Sequence, residues 1–358
     1  MIRLYGIEKG NASWARVTAG VKHGFTEHSK FAGFYDVSNV DADWDDDSLG
    51  VGYDAPVGIA IGPPPTASVM TGRGHHEHRL LMVAANSSWL PAALMEQAAK
   101  FLTGFMAPSE WSANVIRNYV DKPVYVYPHG VDSRFTPQQD ARGGLPDPPY
   151  RVLHMASTHM QRKGTSELIH GWAIAKREKT ISPEAILRLV VDGPRGYFLN
   201  PIHDASGGDL SIADSYELVT RMDLSVETMA KFYCQHDAVC QPSRGEGFGM
   251  VPLEARVCGV PAIATACTGH AEHMRTISRG AIVIPHGDEY PVDDGPGALA
   301  PAVAPRDIAN AIANAYENRD AISKAAREAS SAVSAEWSWR NVTARFLIAN
   351  HKELGITI

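Results

Sequence analysis

Four cysteines in 358 residues are too few for a disulfide scaffold. Cys234, Cys240, Cys258 and Cys267 also lack the paired spacing of a zinc site. Three of them fall in or beside apolar strands and a helix, which predicts buried free thiols in a reducing compartment. No apolar run reaches the about 18 residues that span a bilayer, and no basic amphipathic helix or Lys/Arg tract is visible, so stable membrane insertion is not expected. The opening Met1-Ile-Arg-Leu-Tyr-Gly6 reads as a strand rather than a secretion signal. Positive charge is not in excess: the net charge is −7, which lowers the expectation of a nucleic-acid partner. Internal repeats are absent. What remains, with 44% hydrophobic and 20% charged residues, is a water-soluble globular enzyme, expected in the cytoplasm and long enough for two domains.

The most informative stretch is Ser243-Arg-Gly-Glu-Gly-Phe-Gly-Met-Val-Pro-Leu-Glu254. Ala238 to Gln241 is a short apolar strand closed by Pro242. Gly245, Gly247 and Gly249 then form a loop whose backbone N–H groups could approach a ligand closely. Pro252 suits the first turn of a helix, Gly259 stops it, and Pro261 opens the next strand. Glu246 is thereby predicted on the loop and Glu254 on the first helical turn, bracketing a helix N-terminus that favours an anion. Carboxylates that accept sugar hydroxyls, beside N–H groups that bind phosphate, suit a sugar nucleotide.

Two α/β halves are readable around this stretch. The first carries strands at Ile2 to Gly6, Val57 to Ile61, Arg79 to Ala85, Phe105 to Ser109 and Val124 to Tyr127. Its helices are predicted at Trp14 to Gly24, at Pro91 to Phe101 capped by Asn86-Ser-Ser-Trp-Leu-Pro91, and at Glu110 to Tyr119 capped by Ser109. Gln138 to Pro149, rich in Pro, Gly and Asp, reads as a linker. The second half restarts with strand Val152 to Met155 and with Arg162-Lys-Gly-Thr-Ser-Glu167 entering a helix that reaches Lys176. Strand Leu187 to Val191, helix Val226 to Cys234 and one helix over Ala309 to Ala332 follow; Asp41 to Asp47 and Asp288 to Pro305 read as loops.

Glu246-x7-Glu254, with Gly-Phe-Gly after the first Glu and Glu-Ala at the second, resembles the signature of retaining glycosyltransferases of the GT-B fold, family four of those enzymes above all. Pro128-His-Gly-Val-Asp132 and Trp337-Ser-Trp-Arg-Asn-Val-Thr-Ala-Arg-Phe346 are similar to segments that close the first domain and form the terminal helix in that family. The resemblance implies two Rossmann-like α/β domains facing across a cleft: 1–140 for the acceptor, joined by a terminal helix at 337–358 that crosses back, and 150–336 for a nucleoside-diphosphate sugar donor. It implies transfer of the sugar to an unidentified hydroxyl acceptor, which could be a glycan, small molecule, protein, lipid or modified nucleic acid. It assigns catalytic roles to Glu246, Lys163 and Arg162, and donor contacts to Glu254, Gly247, Phe248, Gly249, Gly164 and Met222. Lys163 matches the family lysine that contacts the diphosphate; Ser157 stands where many members have an arginine, and Arg162 would take over part of its role. Gly10, Asn11, His76, His78, Ser87 and His129 are the acceptor-side candidates.

No cofactor or metal is expected. His75-His-Glu-His78 crowds ligands that a strand points to opposite faces, and Asp41-Ala-Asp43 sits in an acidic loop. Two other readings stand beside the transferase: a nucleotide-sugar epimerase on the same fold, which needs no acceptor, and a non-catalytic sugar-nucleotide or glycan-binding protein. A phosphorylase would need a cofactor lysine and a much longer chain.

Overall fold

The structure, a computed structural model, describes residues 1–6, 13–36, 55–63, 76–138, 149–156, 159–220, 224–292 and 294–357. The chain divides into two compact units. Unit 1 comprises Met1–Ala85, Trp89–Asp132 and Glu336–Ile358, and unit 2 comprises Asn86–Ser88 and Ser133–Ala335.

Unit 1 runs β1 (Ile2–Gly6), α1 (Ser13–Glu27), β2 (Phe31–Asp36), β3 (Val57–Ile61), β4 (His78–Met82), α2 (Ala92–Ala99), β5 (Gly104–Ala107), α3 (Glu110–Arg117) and β6 (Val124–Val126). Its strands form one parallel sheet in the order β2-β1-β3-β4-β5-β6. The strands are short apolar runs because a parallel sheet is covered on both faces; all five residues of β3 are buried. Ser109 caps α3 as its sequence predicts, its hydroxyl accepting the Ser112 N–H at 3.1 Å. The string at Asn86 does not cap α2: Pro91 is the N-cap, with no side-chain bond, and Asn86 to Ser88 belong by contact to unit 2.

Unit 2 runs β7 (Arg151–Met155), α4 (Met160–Lys163), α5 (Thr165–Arg177), β8 (Ile186–Val191), α6 (Gly196–Ser206), α7 (Leu210–Ala213), β9 (Tyr216–Thr220), α8 (Val226–Cys234), β10 (Ala238–Gln241), α9 (Met250–Val257), β11 (Ala262–Thr265), α10 (His270–Thr276), β12 (Ala281–Ile284), β13 (Glu289–Pro291), β14 (Leu299–Pro301), α11 (Pro305–Glu317) and α12 (Arg319–Glu336). Six strands form a second parallel sheet in the order β12-β11-β10-β7-β8-β9. That order reverses between β7 and β10, so the crevice at the carboxyl ends of those two strands is a topological switch point, where open α/β sheets bind ligands. Trp172 anchors the core beneath, fully buried with its indole N–H on Ser215 Oγ at 2.9 Å.

Three elements correct the sequence reading. The helix expected from Arg162 is split into α4 and α5, because Gly164 takes the left-handed conformation at φ 64°. The helix expected over Ala309 to Ala332 is two, broken at Asn318, whose side-chain amide bonds back to Asn314 O at 3.1 Å. Asp288 to Pro305 is not a plain loop: it holds the antiparallel hairpin β13–β14. The terminal helix α13 (Trp339–Asn350) belongs to unit 1, as expected of a helix that crosses back. Its Thr343 hydroxyl meets Tyr127 Oη at 2.6 Å, and Phe346 stands edge-on to the Tyr127 ring at 4.9 Å.

Candidate active site

Two loops leave the switch point of unit 2. One follows β7 and carries Arg162, Lys163 and Gly164; the other follows β10 and carries Arg244 to Gly249. They are stitched together. Arg244 N–H and Gly245 N–H both point at Arg162 O, at 2.8 and 3.4 Å, and Arg162 Nη1 donates to Gly245 O at 2.7 Å. Only glycine fits at 164: a Cβ there would stand 2.1 Å from the Pro242 carbonyl oxygen. His154 on β7 braces the floor. Its Nδ1–H donates to Cys240 O and its Nε2 accepts from Thr165 Oγ1, each at 2.9 Å. Burial holds that imidazole neutral, with its ionisation lowered to about 4.

Glu246 sits at the centre. Its Oε1 is bonded by Lys163 Nζ and lies 3.8 Å from Arg162 Nη1. Burial opposes its charge, but Lys163 and Arg162, with His270 behind them, outweigh burial and hold the carboxyl at about 2. Its N–H donates to Thr268 Oγ1 at 3.1 Å and its carbonyl accepts Gly269 N–H at 2.9 Å, so the loop is fixed on the turn that opens α10. Gly247 N–H donates to Asn86 Oδ1 at 3.2 Å.

Gly249 is the N-cap of α9 at φ 82°, and a Cβ on it would collide with the buried His270 ring at 1.8 Å. His270 is fully buried, held near 4 by burial, and its Nε2 has no hydrogen-bond partner beside this helix entry. Phe248 is buried, and its carbonyl accepts from His273 Nε2 at 3.0 Å. Because α9 starts at Met250, Glu254 is one turn in rather than on the first turn. Its side chain is 2% exposed, and Oε2 accepts the Tyr233 hydroxyl at 2.8 Å.

The structure therefore brings together Arg162, Lys163, Gly164, Glu246, Gly247, Phe248 and Gly249, with Glu254 on the adjoining helix. Met222, Gly10 and Asn11 lie outside the described residues, as do Ser157, His75 and the Asp41-Ala-Asp43 loop. Ser87 is fully buried within the Asn86–Ser88 segment of unit 2. His76 is buried in unit 1 with both ring nitrogens engaged: Nδ1–H donates to Ala55 O and Nε2 accepts from Tyr5 Oη, each at 2.7 Å. His78 opens β4 half-buried. His129 is buried against the Trp339 ring at 6.1 Å, its ionisation lowered by burial to about 4. Among the described residues no group of three or more His, Cys, Asp or Glu could hold a metal ion, and no helix is long and apolar enough to cross a membrane.

Tyr233, Asn86, Thr268, His270 and Asp294 are contributors that sequence reasoning missed. Each reaches the site from a segment distant in the chain. Asn86, Tyr233 and Asp294 stood in segments already singled out, but as part of a helix cap, a helix and a loop rather than as site residues.

Known proteins resemble this chain in sequence over part of its length and in fold. Residues 149–318 match the family model of the glycosyl transferases group 1. D-inositol 3-phosphate glycosyltransferase of Actinosynnema mirum is 32% identical over 170 residues, 46% of this chain and 40% of that protein. An MMP alpha-(1->4)-mannosyltransferase of Mycolicibacterium hassiacum is 25% identical over 175 residues, 48% of this chain and 39% of that protein. The chain thus spans less than half the length of these curated relatives. Among solved structures, sucrose-phosphate synthase from Thermosynechococcus elongatus aligns with a TM-score of 0.68 over 99% of both chains at 15% identity. HepE of Anabaena, in complex with UDP and glucose, aligns with a TM-score of 0.66 over 98% of this chain and 99% of its own, at 13% identity.

The fold is GT-B.

It consists of two Rossmann-like units, each built on a parallel sheet of six strands. The family model matched within the second unit is that of the glycosyl transferases group 1.

Proposed function

We propose that the protein is a retaining glycosyltransferase that moves a sugar from a nucleoside-diphosphate donor to a hydroxyl acceptor, without a metal. The observation that carries this reading is the charge arrangement at the switch point of unit 2. Lys163 and Arg162 converge on Glu246, next to the glycine-capped entry of α9 and a buried Glu254. Cations and a helix N-terminus stabilise the negative charge that grows on a departing diphosphate. A buried carboxylate suits the vicinal diol of a ribose, and the Tyr233 hydroxyl, donating to Glu254 Oε2, orients that carboxylate.

In this reading the acceptor oxygen attacks the anomeric carbon from the face that the diphosphate leaves. The carbon–phosphate-oxygen bond breaks, the new glycosidic bond forms, and the acceptor proton passes to the departing phosphate oxygen. Lys163 and Arg162 carry the leaving charge. Glu246 faces the sugar, where positive charge develops. Unit 2 would hold the donor and unit 1 the acceptor, with Gly10, Asn11, His78 and His129 as acceptor-side candidates. Glycan, small-molecule, protein, lipid and modified nucleic-acid acceptors fit equally, and a cytoplasmic location suits a nucleotide-sugar substrate. HepE, solved with UDP and glucose, supports a nucleotide-sugar donor.

Thermal shift with millimolar UDP, GDP, ADP and dTDP, each with and without EDTA, tests the proposal. One diphosphate is expected to raise the melting temperature equally in both conditions, and Lys163→Ala to abolish most of the rise. No shift with any of the four would refute the donor site; a shift lost to EDTA would refute metal independence.

A further inference from the structure

The hairpin β13–β14 has no place in the reading so far, yet it is fastened to the signature loop itself. Arg244, two residues before Glu246, donates from Nε to Pro301 O at 2.9 Å and from Nη2 to Tyr290 O and Ala300 O at 3.2 and 3.3 Å. Its guanidinium also stands over the Tyr290 ring at 5.9 Å. Ser88 fastens the start of β14, its N–H donating to Leu299 O at 3.1 Å and its Oγ accepting Leu299 N–H at 2.9 Å. The hairpin so held delivers Asp294 to the far side of Arg162. Asp294 Oδ1 lies 3.6 Å from Arg162 Nε, which is buried and makes no hydrogen bond. A buried donor left just short of a carboxylate requires an explanation. One guanidinium is thus flanked by two carboxylates, Glu246 at Nη1 and Asp294 at Nε. A guanidinium is smaller than a sugar ring, so a sugar seated beside Arg162 is within reach of both. Asp294 is 17% exposed at its side chain and retains free acceptor capacity.

We infer that Asp294 is a specificity-determining residue of the donor site, accepting a hydrogen bond from a ring hydroxyl of the donor sugar; this rests on the donor-site reading above. A carboxylate in this place works against a bare diphosphate, which is anionic, and for a hydroxyl-bearing sugar. The two effects have opposite signs, which makes them separable.

The test is calorimetry on the full chain with UDP, GDP and ADP, and with UDP-glucose, GDP-mannose and ADP-glucose. Wild type is compared with Asp294→Ala and Asp294→Asn. For the base that wild type binds, Asp294→Ala is expected to leave the bare diphosphate within about threefold or to tighten it, since a negative charge has gone. The sugar conjugate is expected to weaken about tenfold or more, the scale of one hydrogen bond to a charged group. Asp294→Asn, which keeps an acceptor oxygen without the charge, falls between the two. Equal weakening of both ligands would overturn the inference and make Asp294 a strut of the loop; so would unchanged binding of both. If wild type binds no diphosphate, the donor site itself is misread and the role of Asp294 falls with it.

Discussion

Replacing Glu246 by Gln keeps the shape of the side chain and removes the charge that Lys163 and Arg162 share. The carboxyl is moved from 4.5 to about 2 in the fold. At 1.36 kcal/mol per pH unit, that corresponds to about 3 kcal/mol of stability at neutral pH. The group is a carboxylate with a depressed value, so the contribution is complete above the unfolded value of 4.5 and is lost as pH falls towards about 2. Urea unfolding of wild type and Glu246→Gln at a series of pH values from 7 to 3 is therefore expected to show two curves. They stand about 3 kcal/mol apart at neutral pH and converge below about 4.5. The same variant frees Lys163 from its carboxylate, so a nucleoside diphosphate is expected to bind as tightly as to wild type or more tightly, while turnover of the full donor falls. Curves that stay parallel down to pH 3 would refute the electrostatic account. Loss of diphosphate affinity in the variant would show that Glu246 itself holds the nucleotide.

Two further outcomes are expected. Glu254→Gln should weaken diphosphate nucleotide binding by about 1.5–3 kcal/mol in calorimetry, and Tyr233→Phe by about 1 kcal/mol through the looser carboxylate; equal affinities in wild type and both variants would remove the ribose assignment. Gly164→Ala, forced to φ 64° with its Cβ 2.1 Å from the Pro242 carbonyl oxygen, should lose about 2 kcal/mol or more in denaturant unfolding, and an unchanged midpoint would mean that the Arg162–Gly164 turn is not rigid.

Local chemistry made much of this chain legible. Val57–Ile61 and Ala238–Gln241 begin and end where apolar runs and Pro242 say they must, and the helix read at Val226–Cys234 has those bounds in the structure. The Gly-rich loop and its two glutamates were readable because glycine spacing and a following helix are local facts. The hairpin at β13–β14 was not: Asp288 to Pro305 is dense in Asp, Gly and Pro, and its strands exist through bonds to Arg244 and Ser88 made from far away in the chain. The break at Asn318 escaped because the apolar period runs on through it, with no glycine or proline to mark the stop. His270 escaped for a related reason. Its place behind Gly249 is a tertiary contact between two loops, and nothing in its immediate neighbours announces it.

The assignment of Asn86–Ser88 to unit 2 has a practical edge. The polypeptide passes between the two units at four points, after Ala85, after Ser88, after Asp132 and after Ala335. A fragment cut at 133–335 would look like a complete Rossmann-like module in sequence, with Arg162-Lys-Gly164 and the Glu246–Glu254 signature inside it. It would nevertheless lack the Asn86 oxygen that receives the Gly247 N–H and the Ser88 groups that fasten Leu299. Its signature loop and its hairpin would each lose a tether, so poor nucleotide binding by such a fragment would report on the missing three residues and not on the donor site. Gene shuffling that swaps the first half of this chain for another would face the same hidden dependence. The exchangeable block is not a continuous stretch of sequence.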